Sequence, residues 1–60
     1  MALPSDLFIL LSVVNTKLRD QYSNLDALCE DLDEDKASLV QALARAGYTY
    51  SPDQNQFISL

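Results

Sequence analysis

A change in the phase of the apolar pattern at residues 33–35 constrains the fold of this chain more than any other sequence feature. Before it, apolar residues recur at the i, i+3, i+4 and i+7 spacing of an amphipathic helix, in Leu25, Leu28, Cys29 and Leu32. After it, the pattern resumes in a new phase, in Leu39, Val40, Leu43 and Ala46. Because neither glycine nor proline separates the two patterns, the sequence predicts two short helices joined by a tight turn, an arrangement like a helix-turn-helix.

The first of these helices is predicted at residues 24–32. Ser23, followed three residues later by Asp26, resembles a capping box, in which a serine side chain accepts hydrogen bonds from the first-turn amides. Asp26 also places negative charge at the positive end of the helix dipole. Asp33 can tolerate a left-handed backbone and is therefore expected in the turn that follows.

The second helix of the pair is predicted at residues 36–46, with Asp35 as its N-cap. Gly47 is expected to take the left-handed position that ends the helix, because glycine adopts it without steric cost. Tyr48 would then fold back onto Leu43 as the apolar contact of a Schellman ending.

A short β-hairpin is predicted at residues 48–58. Pro52 and Asp53 suit the centre of a type I turn, and Asn55 can take a left-handed position that closes the loop. Three aromatic side chains would lie across the ends of the helices and add to the core, namely Tyr48, Tyr50 and Phe57.

An additional helix is predicted at residues 6–22, with Ser5 or Asp6 as its N-cap. Its core face is expected to contain Leu7, Leu11, Val14 and Leu18, with Leu10 and Tyr22 at its margins. Residues 1–4 would form a short lead-in. The predicted fold class is therefore mainly α, a three-helix bundle with a short C-terminal hairpin, which is the element order of winged-helix domains.

Ile9 and Val13 project well away from that core face when each residue turns by about 100°. Either the hairpin or the other helices cover them, or they form a surface for a partner or for a second copy. Beside them lie Phe8 and a polar strip of Ser12, Asn15 and Arg19, which completes the candidate interaction surface.

Asn15 is a poor residue for the middle of a helix. Its side chain is therefore expected to bond the backbone of a neighbouring segment, or else to belong to a ligand site.

Composition excludes several function classes. A net charge of −5 opposes binding to nucleic acid or to anionic membranes, and no apolar run reaches the roughly 20 residues of a membrane span. With one cysteine and no histidine, we expect no disulfide, no metal centre, no cofactor and no enzymatic activity.

Six acidic residues fall within 26–35. In a calcium-binding loop that started at Asp31, Lys36 would stand where the loop needs glycine and Ala42 where it needs glutamate, so no calcium site is expected. These acids are expected to be solvated, in a cytoplasmic protein that lacks a signal peptide.

Nearly the whole chain resembles a known family. The resemblance is carried by LPSDLFILLSVVNTKLRDQY, then LDALCEDL, LVQALARAGYTY and the tail DQNQF, and LLSVVNTKLRD is its most specific part. On these residues the chain is similar to the domain-of-unknown-function family 4250. The resemblance implies a small free-standing bacterial protein, and it implies no activity, substrate or site.

Two functions are compatible with these features. The first is a non-enzymatic protein-interaction or regulatory module that binds another protein, or itself as a homodimer. The second is a winged-helix-like DNA-binding protein, because three helices followed by a hairpin is that fold's order. Charge argues against DNA binding, since Asp33, Glu34 and Asp35 precede the helix that would read bases.

Overall fold

The computed structural model describes Leu3 and residues 5–60, so most of the lead-in predicted at residues 1–4 lies outside the described residues. Three helices are followed by two strands, and their bounds are α1 Leu7–Asp20, α2 Leu25–Leu32, α3 Lys36–Arg45, β1 Tyr48–Ser51 and β2 Gln56–Ser59. The strands form a two-stranded antiparallel sheet. The predicted mainly-α fold with three helices and a C-terminal hairpin is confirmed. No helix in this part of the chain has the length and apolar character needed to cross a membrane.

Helix α1 begins after Asp6, whose carboxylate accepts hydrogen bonds from the amides of Phe8 and Ile9 at 3.0 and 3.1 Å. Of the two predicted caps, Asp6 is therefore the one used, and its charge also suits the positive end of the helix dipole. The helix ends two residues earlier than Tyr22, because the amides of Gln21 and Tyr22 both donate to the carbonyl of Lys17 and close the last turn.

The N-cap of α2 is Asn24, so the prediction of Ser23 was wrong. The Asn24 side chain accepts a hydrogen bond from the amide of Ala27 at 2.7 Å, and its backbone is extended. Asparagine is as good an N-cap as serine, so local preference did not decide between the two neighbours. Asp26 lies in the first turn of α2 and forms an ion pair with Lys36 at 2.9 Å.

The turn between α2 and α3 has the predicted local conformations. Asp33 is left-handed, with φ of 56°, and follows the last residue of α2. Asp35 is the N-cap of α3, since its carboxylate accepts hydrogen bonds from both the amide and the hydroxyl of Ser38, at 3.2 and 2.7 Å. Both predictions are confirmed. They could be made from the sequence because each depends on local backbone chemistry alone.

Gly47 ends α3 with φ of +90°, as predicted, and its amide donates to the carbonyl of Ala44 at 3.0 Å. The hairpin starts immediately afterwards. Asn55 in the loop is left-handed with φ of 52°, also as predicted, and the second strand runs to Ser59, one residue beyond the predicted end.

The core joins all three helices to the hairpin. Its buried members are Leu10, Val14, Leu18, Leu25, Leu28, Cys29, Leu39, Leu43 and Phe57. Leu10 belongs to this core, whereas Leu7 and Leu11 are only partly buried, so the predicted core face of α1 was rotated by part of a turn. Periodicity fixes the spacing of the buried residues but not the rotation of the helix, which is set by the neighbouring elements α2, α3 and β2 that α1 contacts.

We expect Gly47→Ala to destabilise the domain by about 1 kcal/mol or more, because an L residue is strained at this φ. A Cβ at this position has no heavy atom within 4 Å, so the cost is backbone strain alone. Gly47→Asn should cost less, since asparagine tolerates left-handed backbone. Equal thermal stability of all three proteins would contradict this prediction.

Candidate interaction surface

The N-terminal half of α1 carries large apolar side chains that the fold does not cover. Phe8 is 67% exposed and Ile9 is 55% exposed. Of the two alternatives for Ile9, coverage by the hairpin or by the other helices is therefore wrong. Val13 is half-buried, which places it at the edge of the exposed region.

Small uncharged residues lie between these apolar side chains. At about 100° per residue, Ser12 and Thr16 fall between Phe8 and Ile9 on the helical wheel, and both are exposed. We call Phe8, Ile9, Ser12, Val13 and Thr16 the α1 surface. Thr16 was not among the predicted site residues, although its position on the wheel could have identified it. The stretch from residue 7 to residue 16 contains no charged residue, in a chain whose net charge is −5.

Asn15 has the structural task that its position in the helix predicted. Its side-chain amide donates to the carbonyl of Phe57 at 3.1 Å, and its side-chain oxygen accepts from the amide of Phe57 at 2.8 Å. The Asn15 side chain thus binds both main-chain groups of Phe57 in β2, as the main chain of a neighbouring strand would. Since both ends of the Asn15 side chain are used in this way, it is not part of the α1 surface.

A second asparagine ties the hairpin loop to the end of α1. The Asn55 side-chain amide donates to the carbonyls of Leu18 and Tyr22 at 3.0 and 2.9 Å, and its oxygen accepts from the hydroxyl of Tyr50 at 2.7 Å. The same hydroxyl accepts from the amide of Leu25 at the start of α2, at 3.2 Å. Sequence analysis found the backbone role of Asn55 but gave no signal for these partners, which are distant along the chain.

Arg19 lies on the same side of α1 but is already paired. Its guanidinium donates to the carboxylate of Asp20 at 3.0 Å, and both side chains are largely exposed. The hydrogen bond and the opposite charge raise the pKa of Arg19 and lower the pKa of Asp20. An exposed pair of this kind contributes little to stability, and its two charges cancel each other.

The acidic segment at residues 26–35 is mostly solvated, as predicted. Glu34 is the exception, because it is half-buried and one of its carboxylate oxygens is covered without a hydrogen-bond partner among the described residues. No group of three or more potential metal-ligating side chains occurs in the described part of the chain. Burial, followed by nearby acidic charge, raises the pKa of the Cys29 thiol, which keeps it in its less reactive protonated form.

Tyr22 connects α1 to the acidic segment. Its hydroxyl donates a short hydrogen bond to the carboxylate of Asp31, and this bond is the main reason why the pKa of Tyr22 is raised. The contact fixes the linker between α1 and α2. It uses the phenol in a structural role, outside the α1 surface.

Fold and surface together define a small helical domain with a hairpin fastened to α1 and an uncharged apolar patch on the same helix. A family model described as a domain of unknown function, DUF4250, matches residues 4–57. The chain belongs to this family. No curated protein and no solved structure matches the chain.

Proposed function

We propose that this protein is a non-enzymatic protein-interaction module, of bacterial origin, and that the α1 surface is where it binds its partner. The observation that carries the proposal is the exposure of Phe8 and Ile9 on a helix with no charged residue between positions 7 and 16. Exposed apolar side chains that are grouped in this way mark binding surfaces, whereas scattered ones do not.

The chemistry of the α1 surface limits the partner. A charged group placed against Phe8 or Ile9 would lose its hydration, and the nearest carboxylate, that of Asp6, is already bonded to the amides of these two residues. The partner is therefore expected to present an apolar helix or groove with polar groups at its rim, where Ser12 and Thr16 can form hydrogen bonds.

Charge also favours this function over DNA binding. Asp33 and Asp35 are exposed at the start of α3, which is the helix that a winged-helix protein would place against DNA. Lys36 beside them is paired with Asp26. Phosphates approaching this end of α3 would meet negative charge, so duplex DNA is expected not to bind at physiological salt.

The experiment compares the double variant Phe8→Lys, Ile9→Lys with the wild-type chain. Both side chains are mostly exposed, so the variant should keep its circular dichroism spectrum. It should lose only about 1–2 kcal/mol of unfolding free energy, because the two positive charges lie in the first turn of α1, at the positive end of the helix dipole. Capture of protein partners by the immobilised chain should be abolished, because two positive charges then occupy the centre of the contact.

The matched control is Gln41→Lys, Gln54→Lys, which adds the same charge at exposed positions outside α1. This control should capture partners as the wild-type chain does. Capture that survives Phe8→Lys, Ile9→Lys would contradict the proposed surface. Saturable, salt-dependent binding of duplex DNA by the wild-type chain would favour the DNA-binding function instead.

A further inference from the structure

The side chains of Tyr50 and Asn55 join the hairpin to the segment where α1 ends and α2 begins. The Asn55 amide group donates to the carbonyls of Leu18 and Tyr22, at 3.0 and 2.9 Å. The Tyr50 hydroxyl accepts from the amide of Leu25 at 3.2 Å. One strand residue and one loop residue of the hairpin thus reach both sides of the linker between the two helices.

Two of these bonds satisfy main-chain groups that the helices themselves leave without a partner. The carbonyl of Leu18 is among the last four of α1, and the amide of Leu25 is the first of α2. Helix α2 has 8 residues, and an isolated helix shorter than about 12 residues is marginal in water. Its N-cap, Asn24, accepts from the amide of Ala27 and leaves the Leu25 amide to Tyr50. The hairpin therefore supplies a cap that α2 needs.

The two hairpin side chains also depend on each other. The Tyr50 hydroxyl donates its proton to the side-chain oxygen of Asn55 at 2.7 Å. This bond fixes the orientation of the Asn55 amide group, whose two N–H donors then face the carbonyls of Leu18 and Tyr22. Connected hydrogen bonds strengthen one another, so the loss of one side chain weakens the bonds of the other.

We propose that Tyr50 and Asn55 form a latch, through which the hairpin, the end of α1 and the first amide of α2 open and close as one unit. When the hairpin moves away from the helices, the bonds to Leu18, Tyr22 and Leu25 lengthen together, and a hydrogen bond tolerates little lengthening. None of these residues belongs to the α1 surface, so the latch is independent of the function proposed above.

The first test is amide hydrogen exchange of the full chain by NMR, with the slowest amides of α3 reporting global unfolding. Tyr50→Phe removes the hydroxyl and keeps the ring, whose centroid lies 5.5 Å from that of Phe57. Relative to α3, the Leu25 amide should exchange about tenfold faster in this variant. The matched control is Tyr48→Phe, on the same face of β1, where the hydroxyl has no hydrogen bond within the described residues. It should leave Leu25 exchange unchanged.

Asn55→Gly tests the coupling itself. Glycine adopts the left-handed backbone of this position, where φ is 52°, and the Asn55 side chain forms no hydrogen bond with the Leu25 amide, which donates to Tyr50. The Leu25 amide should nevertheless exchange about tenfold faster relative to α3, because the Tyr50 hydroxyl loses its acceptor. Unchanged Leu25 exchange in Asn55→Gly, or an equal acceleration by Tyr48→Phe, would overturn the proposal.

The wild-type chain offers a further measurement that does not depend on the folding of any variant. In urea below the unfolding transition, the amides of Leu25 and Phe57 should open with the same free energy and the same urea dependence. Both amides donate across the contact between the hairpin and the helices, to Tyr50 and to Asn15. Different urea dependences for the two amides would show that they open separately and would overturn the latch.

Discussion

Replacing Asn15 with alanine should destabilise the domain by about 2–4 kcal/mol, because it leaves the amide and carbonyl of Phe57 without partners in a partly covered site. A domain of this size has only about 3–5 kcal/mol of total stability. We therefore expect the alanine variant to be largely unfolded at 37 °C, as measured by chemical denaturation monitored by circular dichroism.

Two further variants separate this loss from a general effect on α1. Thr16→Ala, at the next and exposed position, should change the unfolding free energy by no more than about 0.5 kcal/mol. Asn15→Asp keeps the shape of the side chain and can still accept from the Phe57 amide, but it places a negative oxygen against the carbonyl. It should remain strongly destabilised at neutral pH. Near-wild-type stability of Asn15→Ala would show that the hairpin does not depend on this contact.

Leu43→Ala should unfold the domain outright. Leu43 is fully buried, and the alanine variant loses its transfer free energy and leaves a cavity, at a cost of about 2–5 kcal/mol. A short chain has little additional core with which to compensate for this loss. Thermal unfolding measured by circular dichroism should show no cooperative transition above about 25 °C.

The control for Leu43 is methionine, which nearly conserves volume and should cost less than about 1.5 kcal/mol. A cooperative transition close to that of wild type in Leu43→Ala would contradict the position assigned to this side chain. That result would mean that α3 does not pack against the core as described.

Features set by local chemistry could be predicted from the sequence. Asp35 as an N-cap, the left-handed backbone of Asp33 and Asn55, and the glycine ending of α3 each depend on one residue and its immediate neighbours. The structural role of Asn15 was predicted by a similar argument. Asparagine is unfavourable in the middle of a helix, so its side chain is expected to bond a neighbouring segment.

Features set by contacts between distant segments could not be predicted in the same way. Leu10 was assigned to the margin of α1 because periodicity fixes the spacing of a buried face but leaves its exact rotation to the neighbouring elements. Here α1 contacts α2, α3 and β2, and the face that these elements bury is centred nearer to Leu10 than periodicity alone indicated. The partners of Asn55 were not foreseen because Leu18 and Tyr22 lie far from it in the sequence.

The candidate site was predicted in part. Phe8, Ile9 and Ser12 are exposed as a binding surface requires, and Val13 lies at its edge. Asn15 and Arg19 have other partners, and these depend on the position of Phe57 and on the neighbouring Asp20. The helical wheel therefore identified the exposed side of α1 but could not separate free side chains from those already bound.

The central structural claim is that the side chain of Asn15 binds both main-chain groups of Phe57 and so holds the β2 strand of the hairpin against α1. Amide hydrogen exchange measured by NMR tests this claim residue by residue. The Phe57 amide should be protected nearly as well as the core helices, because it donates to Asn15. The Tyr50 amide lies opposite Phe57 and likewise points away from the partner strand, so it should exchange much faster. Exchange of Phe57 at the same fast rate as Tyr50 would contradict the account.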